Sequence, residues 1–180
     1  YAGCGNQAGE DNRDVARMAL LLAGFPKEVG GVTVNRNCSS ALEAVNLAAK
    51  SILVGEADIY IGSGVESMSR APWSMPKPAR GYPVGNPKIY DTTVGWRFVN
   101  PKMDAMSPIV SLCETAQNIA KNINISRQDQ DDFSHESHRR AVDEIKDATF
   151  HEQVWHKAVP QRKQDQLKIE TDDHPRSRVD

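Results

Sequence analysis

The chain has 180 residues, of which 22 are basic and 24 acidic, giving a formal charge of −2 with 39% hydrophobic side chains. That length suits one ordinary domain or somewhat more, and the balanced charge supplies no global field for nucleic acid or an anionic membrane. No run of about 18 apolar residues occurs, which excludes a membrane-spanning helix. Tyr1 to Gly5 reads as neither a signal peptide nor a translation start. Cys4, Cys38 and Cys113 are far apart and odd in number, so neither a disulfide framework nor a structural zinc site is expected. Free thiols point to a reducing compartment, and the reading adopted is cytoplasmic.

Charge is unevenly placed: residues 126–180 hold 23 of the 46 charged side chains. The front therefore reads as core-forming, and the back as a solvated subdomain or a segment packed on something else. In chain order, Asp11 is expected to cap a helix to about Ala23, with Val15, Met18, Ala19 and Leu22 on one face and Gly24 and Pro26 as stops. Gly31 to Val34 is a short β-rich run. A helix is expected from about Cys38 to Leu53, with Leu42, Val45, Ala49 and Ile52 at helical spacing and Gly55 at its end. Ala57 to Gly62 reads as the next strand. Strand, helix and strand in this order predict an α/β fold with a parallel-type sheet. Pro72 to Pro108 is a long Pro/Gly-rich excursion, the kind of loop that is usually functional or an interface. Two amphipathic helices follow, about Ile109–Asn122 and Arg127–Lys146, the second capped by Ser126 with Asp129 three residues on. After Phe150 only Gln153 to Val159 looks strand-like. The expected domains are an α/β domain over 1–71 and an inserted loop domain over 72–180.

The strongest chemical signal is Val34-Asn35-Arg36-Asn37-Cys38-Ser39-Ser40-Ala41, where a strand ends and a cysteine opens a helix of small residues. A helix N-terminus carries unpaired N–H groups and partial positive charge, which favours a thiolate and can stabilise an oxyanion on a carbonyl under attack. The alternative is a buried, inert cysteine, the common fate of a free thiol. Gly62-Ser63-Gly64 follows a strand, where α/β sheets bind ligands, although it can equally be a simple turn. Glu66 is either a base or a structural hydrogen-bonding partner. His135 and His138 have a spacing that binds metal, but with no third ligand a solvated helix face explains them. No histidine has a spacing that pairs it with Cys38, although a catalytic thiol needs a base.

Five blocks occur in the order and spacing of one family. They are Asn6-Gln7-Ala8-Gly9-Glu10-Asp11-Asn12-Arg13, the Asn35–Ser40 turn, Gly64-Val65-Glu66-Ser67-Met68-Ser69-Arg70-Ala71-Pro72, Glu114-Thr115-Ala116-Gln117-Asn118, and Ile125-Ser126-Arg127-Gln128-Asp129-Gln130-Asp131. The whole chain resembles a thiolase (acetyl-CoA C-acyltransferase). Gly9–Arg13, Asp91-Thr92-Thr93-Val94-Gly95-Trp96-Arg97-Phe98 and Ser111-Leu112-Cys113-Glu114 are most similar to the 3-oxoadipyl-CoA and related degradative branch.

The resemblance implies that Cys38 falls on the family's nucleophile and takes an acyl group as a thioester. A second thiol or an acetyl carbanion then completes the transfer between 3-oxoacyl-CoA and CoA. It implies substrate contacts at Ser111 and Leu112, coenzyme A as substrate, no permanently bound cofactor and no metal. It further implies CoA thioesters as partners, a homodimer or homotetramer, and a loop domain that covers the CoA site and helps build the tetramer. The expected subunit has two similar α/β halves, so the chain reads as an internal piece lacking the opening strand of the first half. It also lacks the second half, where the family keeps its catalytic His, a second Cys and an Asn. Ala41 stands where the family usually has Gly, Leu112 replaces Met, Gln117 replaces Glu, Cys113 replaces Gly or Pro, and Ser111 sits where short-chain biosynthetic members often carry His. These departures bear on substrate choice more than on reaction class.

A second reading is a non-catalytic thiolase-like scaffold that binds CoA esters or oligomerises. A third, a thiol hydrolase of unrelated fold, needs a local Cys/His pair that the sequence does not show. The isolated chain is expected to be marginal, because a parallel sheet missing strands leaves apolar faces and edges uncovered.

Overall fold

The computed structural model describes residues 1–6, 13–147, 151–162 and 165–177, and the chain forms two compact units, Tyr1–Ser111 and Leu112–Asp180. Asp11, expected to open the first helix, lies outside the described residues.

The first unit is built on a three-stranded parallel sheet of β1 (Ala2–Gly3), β2 (Thr33–Val34) and β3 (Ser63–Gly64) in the order β2-β1-β3. Its ladder runs from the Ala2 and Cys4 amides to the Val32 and Val34 carbonyls on one side. On the other, the Ser63 and Val65 amides donate to the Tyr1 and Gly3 carbonyls. The central strand is one that sequence patterning missed, since Tyr1-Ala2-Gly3 is too short to show a period of two. The third strand pairs later than the expected Ala57–Gly62, although the Tyr1 nitrogen already donates to the Ile61 carbonyl at 2.8 Å.

Helix α1 (Val15–Leu22) is capped by Asp14, whose carboxylate accepts from the Arg17 amide and from the Thr33 hydroxyl; that hydroxyl in turn accepts from the Ala16 amide. The helix start is thus tied to β2. Helix α2 (Ser40–Leu53) lies on all three strands. Its buried residues are Ser40, Ala44, Ala48 and Ser51, whereas Leu42 is 64% and Val45 50% exposed. The expected apolar stripe is therefore real but is not the face that meets the sheet. Periodicity says which residues share a face; closeness of approach decides which face packs.

That closeness is set by glycine. A Cβ on Gly3 would lie 2.3 Å from the Ala41 nitrogen, and one on Gly64 would lie 2.5 Å from the Ala41 Cβ. The first turn of α2 thus rests directly on the ends of β1 and β3, and only bare backbone fits beneath it. Small residues make the interior of this unit accordingly: among its described residues the buried apolar ones are Ala2, Cys4, Ala16, Ala44 and Ala48.

The excursion after residue 71 belongs to the same compact unit. It contains an antiparallel pair, β4 (Trp73–Ser74) with β5 (Tyr90–Asp91), and a short helix α3 (Pro101–Met106) that starts with Pro at N1 and is capped by Asn100. Buried Thr92 anchors it, donating to the Pro72 carbonyl at 2.6 Å.

In the second unit, α4 (Leu112–Asn122) precedes α5 (Arg127–Lys146), which has the expected bounds and a complete capping box between Ser126 and Asp129. The two helices were expected from about Ile109 and Arg127, so only the first start shifts. Glu136 lies between Arg139 and Arg140 on α5, and hydrogen bonds from Arg139 first, then Arg140, hold its carboxyl down to about 2. His138 stacks on His174 and accepts from the Arg176 amide, which gives this histidine a structural setting on the helix. β6 (Lys157–Val159) falls within the Gln153–Val159 stretch expected to be strand-like, and its antiparallel partner β7 (Leu167–Ile169) lies beyond it, where no strand was expected. No helix among the described residues is long and apolar enough to cross a membrane.

Candidate active site

Cys38 sits in the turn between the carboxyl end of β2 and the start of α2. It is exposed, and it precedes the helix rather than opening it: Ser39 is the N-cap and Ser40 the first helical residue. The amides of Ser39 and Ser40 donate to the Arg36 and Asn37 carbonyls. These two N–H groups, at the N-cap and first residue of α2, are engaged in shaping the turn.

Several side chains fix the backbone around the thiol. Buried Ser40 donates its hydroxyl to the Asn37 carbonyl at 2.6 Å and accepts from the Arg36 amide at 2.8 Å. Asn35 accepts from the Asn37 amide at 2.9 Å, a local Asx-type bond. Asn37 itself adopts φ +51°, a left-handed conformation that asparagine tolerates better than most residues. Arg36 pairs with Glu43 one turn into α2. The thiol is thus presented by an ordered turn at the end of a parallel strand, where open α/β sheets place their ligands.

Glu66, on the loop after β3, accepts from the Gly5 amide at 2.6 Å and the Asn6 amide at 3.1 Å, and the thiol of buried Cys4 lies 3.7 Å from its carboxylate. Of the two readings left open for this carboxylate, these contacts are those of a structural partner. Asn35 reaches across to the same segment, donating to the Gly5 carbonyl at 2.8 Å. Asn6 continues the network, donating to the Thr92 carbonyl at 3.0 Å and accepting from Arg97 at 3.1 Å. Gln7 to Asn12 of that sequence block lie outside the described residues.

Ala41, which stands where the resembled family usually has Gly, has its methyl over Gly64, where the missing side chain makes room for it. Ser111 is exposed at the end of the first unit, and Leu112, 80% exposed, begins α4 of the second; Cys113 is exposed beside it. Ser111 and Leu112 therefore fall on either side of the division between the units, while Cys38 lies within the first. Among the described residues, no group of three or more His, Cys, Asp or Glu side chains is placed to hold a metal ion. Asn35, Ser40, Asn6 and Thr92 shape the site; the sequence names them within its motif blocks but gives them no individual role. Asn35 carried a local signal in its Asn-x-Asn turn, whereas the Asn6–Thr92 contact spans 86 residues and had none.

A parallel sheet with an exposed thiol on the turn into the helix that crosses it defines an α/β class of fold. The sequence profile described as Thiolase, N-terminal domain matches residues 1–180, and the chain belongs to the thiolase family. It is 48% identical over 175 residues to a beta-ketoadipyl-CoA thiolase of Acinetobacter baylyi, covering 97% of this chain and 43% of that protein. It is 45% identical over 174 residues to the 3-oxoadipyl-CoA/3-oxo-5,6-dehydrosuberyl-CoA thiolase of Escherichia coli, with 97% and 43% coverage. An acetyl-CoA acetyltransferase of Chromobacterium violaceum is 39% identical over 158 residues, with 88% and 39% coverage. The chain thus spans less than half the length of these relatives.

Proposed function

We propose that the whole protein is a 3-oxoacyl-CoA thiolase in which Cys38 carries the acyl group. The observation that supports this is the exposed Cys38 thiol on a turn fixed by Asn35 and Ser40 at the end of a parallel strand. In the degradative direction, the thiolate adds to the 3-oxo carbon and the C2–C3 bond breaks. The electron pair leaves on C2 of acetyl-CoA, which takes up a proton, while the acyl group stays as a thioester on Cys38. The thiolate of CoA then attacks this thioester, releasing the shortened acyl-CoA and regenerating the Cys38 thiolate. The base is assigned, by family resemblance, to the part of the relatives' length that this chain does not span.

The substrate class we favour is a 3-oxoacyl-CoA ending in a second carboxylate, on the strength of relatives named for 3-oxoadipyl-CoA and its analogue. Ser111 and Leu112 are proposed as acyl-pocket residues, coenzyme A as substrate rather than resident cofactor, and residues 72–180 as a loop domain that supports a dimer or tetramer. A cytoplasmic setting accords with the three free thiols. The uncovered leucine and valine face of α2 accords with a helix sandwiched between two layers, the second supplied by the rest of the subunit.

The test is CoA-dependent formation of acetyl-CoA by the full-length protein, offered 3-oxoadipyl-CoA and acetoacetyl-CoA in parallel. Turnover preferring the former and abolished by Cys38→Ala is expected. Unimpaired turnover in Cys38→Ala removes the assignment, and no turnover by the unmodified protein favours a scaffold that binds CoA esters without reacting.

A further inference from the structure

The nucleophile turn is fixed locally by Asn35 and Ser40, but Asn35 is itself held from outside the turn. Its Nδ2 donates to the Gly5 carbonyl at 2.8 Å while its Oδ1 accepts from the Asn37 amide at 2.9 Å. One side chain therefore couples the segment after β1 to the residue preceding Cys38. The Gly5 peptide is fixed in turn by Glu66, whose carboxylate takes the Gly5 and Asn6 amides at 2.6 and 3.1 Å. A charged acceptor shared by two adjacent amides is the strong form of hydrogen bond and sets the orientation of both peptides. The packing supports the same order: a Cβ at Gly5 would lie 3.1 Å from the Glu66 carboxylate and 3.6 Å from the Asn37 carbonyl. Gly5 is thus wedged between the carboxylate and the turn.

We propose that Glu66 is a positioning residue for Cys38, acting through Gly5 and Asn35. This rests on the reading of Cys38 as the acyl carrier. Glu66 needs no contact with substrate in this role. Its negative charge orients the Gly5–Asn6 amides, the Gly5 carbonyl orients the Asn35 amide group, and Asn35 holds the Asn37 peptide that presents the thiol. A loop placed on a different strand from the nucleophile thereby controls where the sulfur sits. Misplacement by about 1 Å at a reacting atom costs on the order of a hundredfold in rate.

The experiment compares the full-length protein with Glu66→Ala, Glu66→Gln, Asn35→Ala and the Glu66→Ala/Asn35→Ala pair. Two readouts are taken: steady-state thiolysis and the rate at which iodoacetamide alkylates Cys38, followed by mass spectrometry. Glu66→Ala is expected to lower kcat by roughly ten- to a hundredfold with KM changed less than about twofold, because position rather than binding is lost. Alkylation of Cys38 changes in the same variants. Glu66→Gln keeps one acceptor oxygen and recovers part of the rate, and the double variant is no worse than its poorer single, as a serial relay requires. Unchanged kcat and alkylation in Glu66→Ala, or full additivity in the double variant, overturns the proposal. If Glu66→Ala does not fold, Glu66→Gln and Asn35→Ala carry the comparison with the same criteria. The alkylation readout needs no turnover, so an inactive parent protein refutes the thiolase reading while the relay is still decided.

Discussion

The close approach of α2 to the sheet makes a sharp prediction at Gly64. An alanine there would set its Cβ 2.5 Å from the methyl of Ala41, where carbon atoms at rest are about 3.5–4.0 Å apart. The opposing atom is a short, rigid side chain on a helix start, so the helix must lift by about 1 Å. Overpacking of this kind costs about 1–3 kcal/mol, and Gly64→Ala is expected to lose about 2 kcal/mol. Ala41→Gly alone should lose about 0.5–1 kcal/mol from greater backbone freedom in the helix. Combined, the two substitutions relieve the worst of the clash, because the next contacts of the new Cβ, the residue 41 Cα at 3.2 Å and the Gly3 carbonyl at 3.3 Å, are tight by only a few tenths of an ångström. The double variant should therefore be more stable than Gly64→Ala, with a coupling of about 1–2 kcal/mol. Urea unfolding of the four full-length proteins measures this. A Gly64→Ala midpoint equal to that of the unmodified protein, or losses that simply add, would refute the reasoning.

Other expectations follow from single side chains. Thr92→Val keeps the shape but leaves the Pro72 carbonyl without its buried donor, and should cost about 1–3 kcal/mol in urea unfolding; no loss would show that the hydroxyl does not anchor the excursion. Ser126→Ala breaks the capping box of α5 and should cost about 1 kcal/mol, seen as fraying of the first turn by amide hydrogen exchange. The Glu136 carboxyl, held below its ordinary 4.5 by Arg139 and Arg140, should titrate near 2 by NMR. Since folding depresses this value, its contribution to α5 is complete above the unfolded value and disappears as pH falls through about 2. A Glu136 titration at the ordinary value would show that the two arginines do not hold it.

What the sequence revealed depended on whether the cause was local. The α5 cap was legible because Ser126 and Asp129 satisfy each other within one turn, and Gly55, beyond α2, takes the left-handed φ of +75° that a helix stop needs. The Cys38 turn was legible as a strand-to-helix junction, but its first helical residue was set by the Ser40 hydroxyl closing back on Asn37, which moved the cysteine outside the helix. The packed face of α2 was not legible, because Gly3 and Gly64 come from distant segments and choose small residues over the leucine stripe. The tie from Asn6 to Thr92 and the hold of Glu66 on Gly5 are likewise products of the assembled sheet. β1 escaped notice since two paired residues carry no period.

The role of Cys38 as acyl carrier is tested most directly by intact mass spectrometry of the full-length protein with 3-oxoadipyl-CoA in the absence of free CoA. A mass increase equal to the shortened acyl group is expected, mapped to the Cys38 peptide and discharged on adding CoA. No adduct, or one that persists in Cys38→Ala, would contradict it.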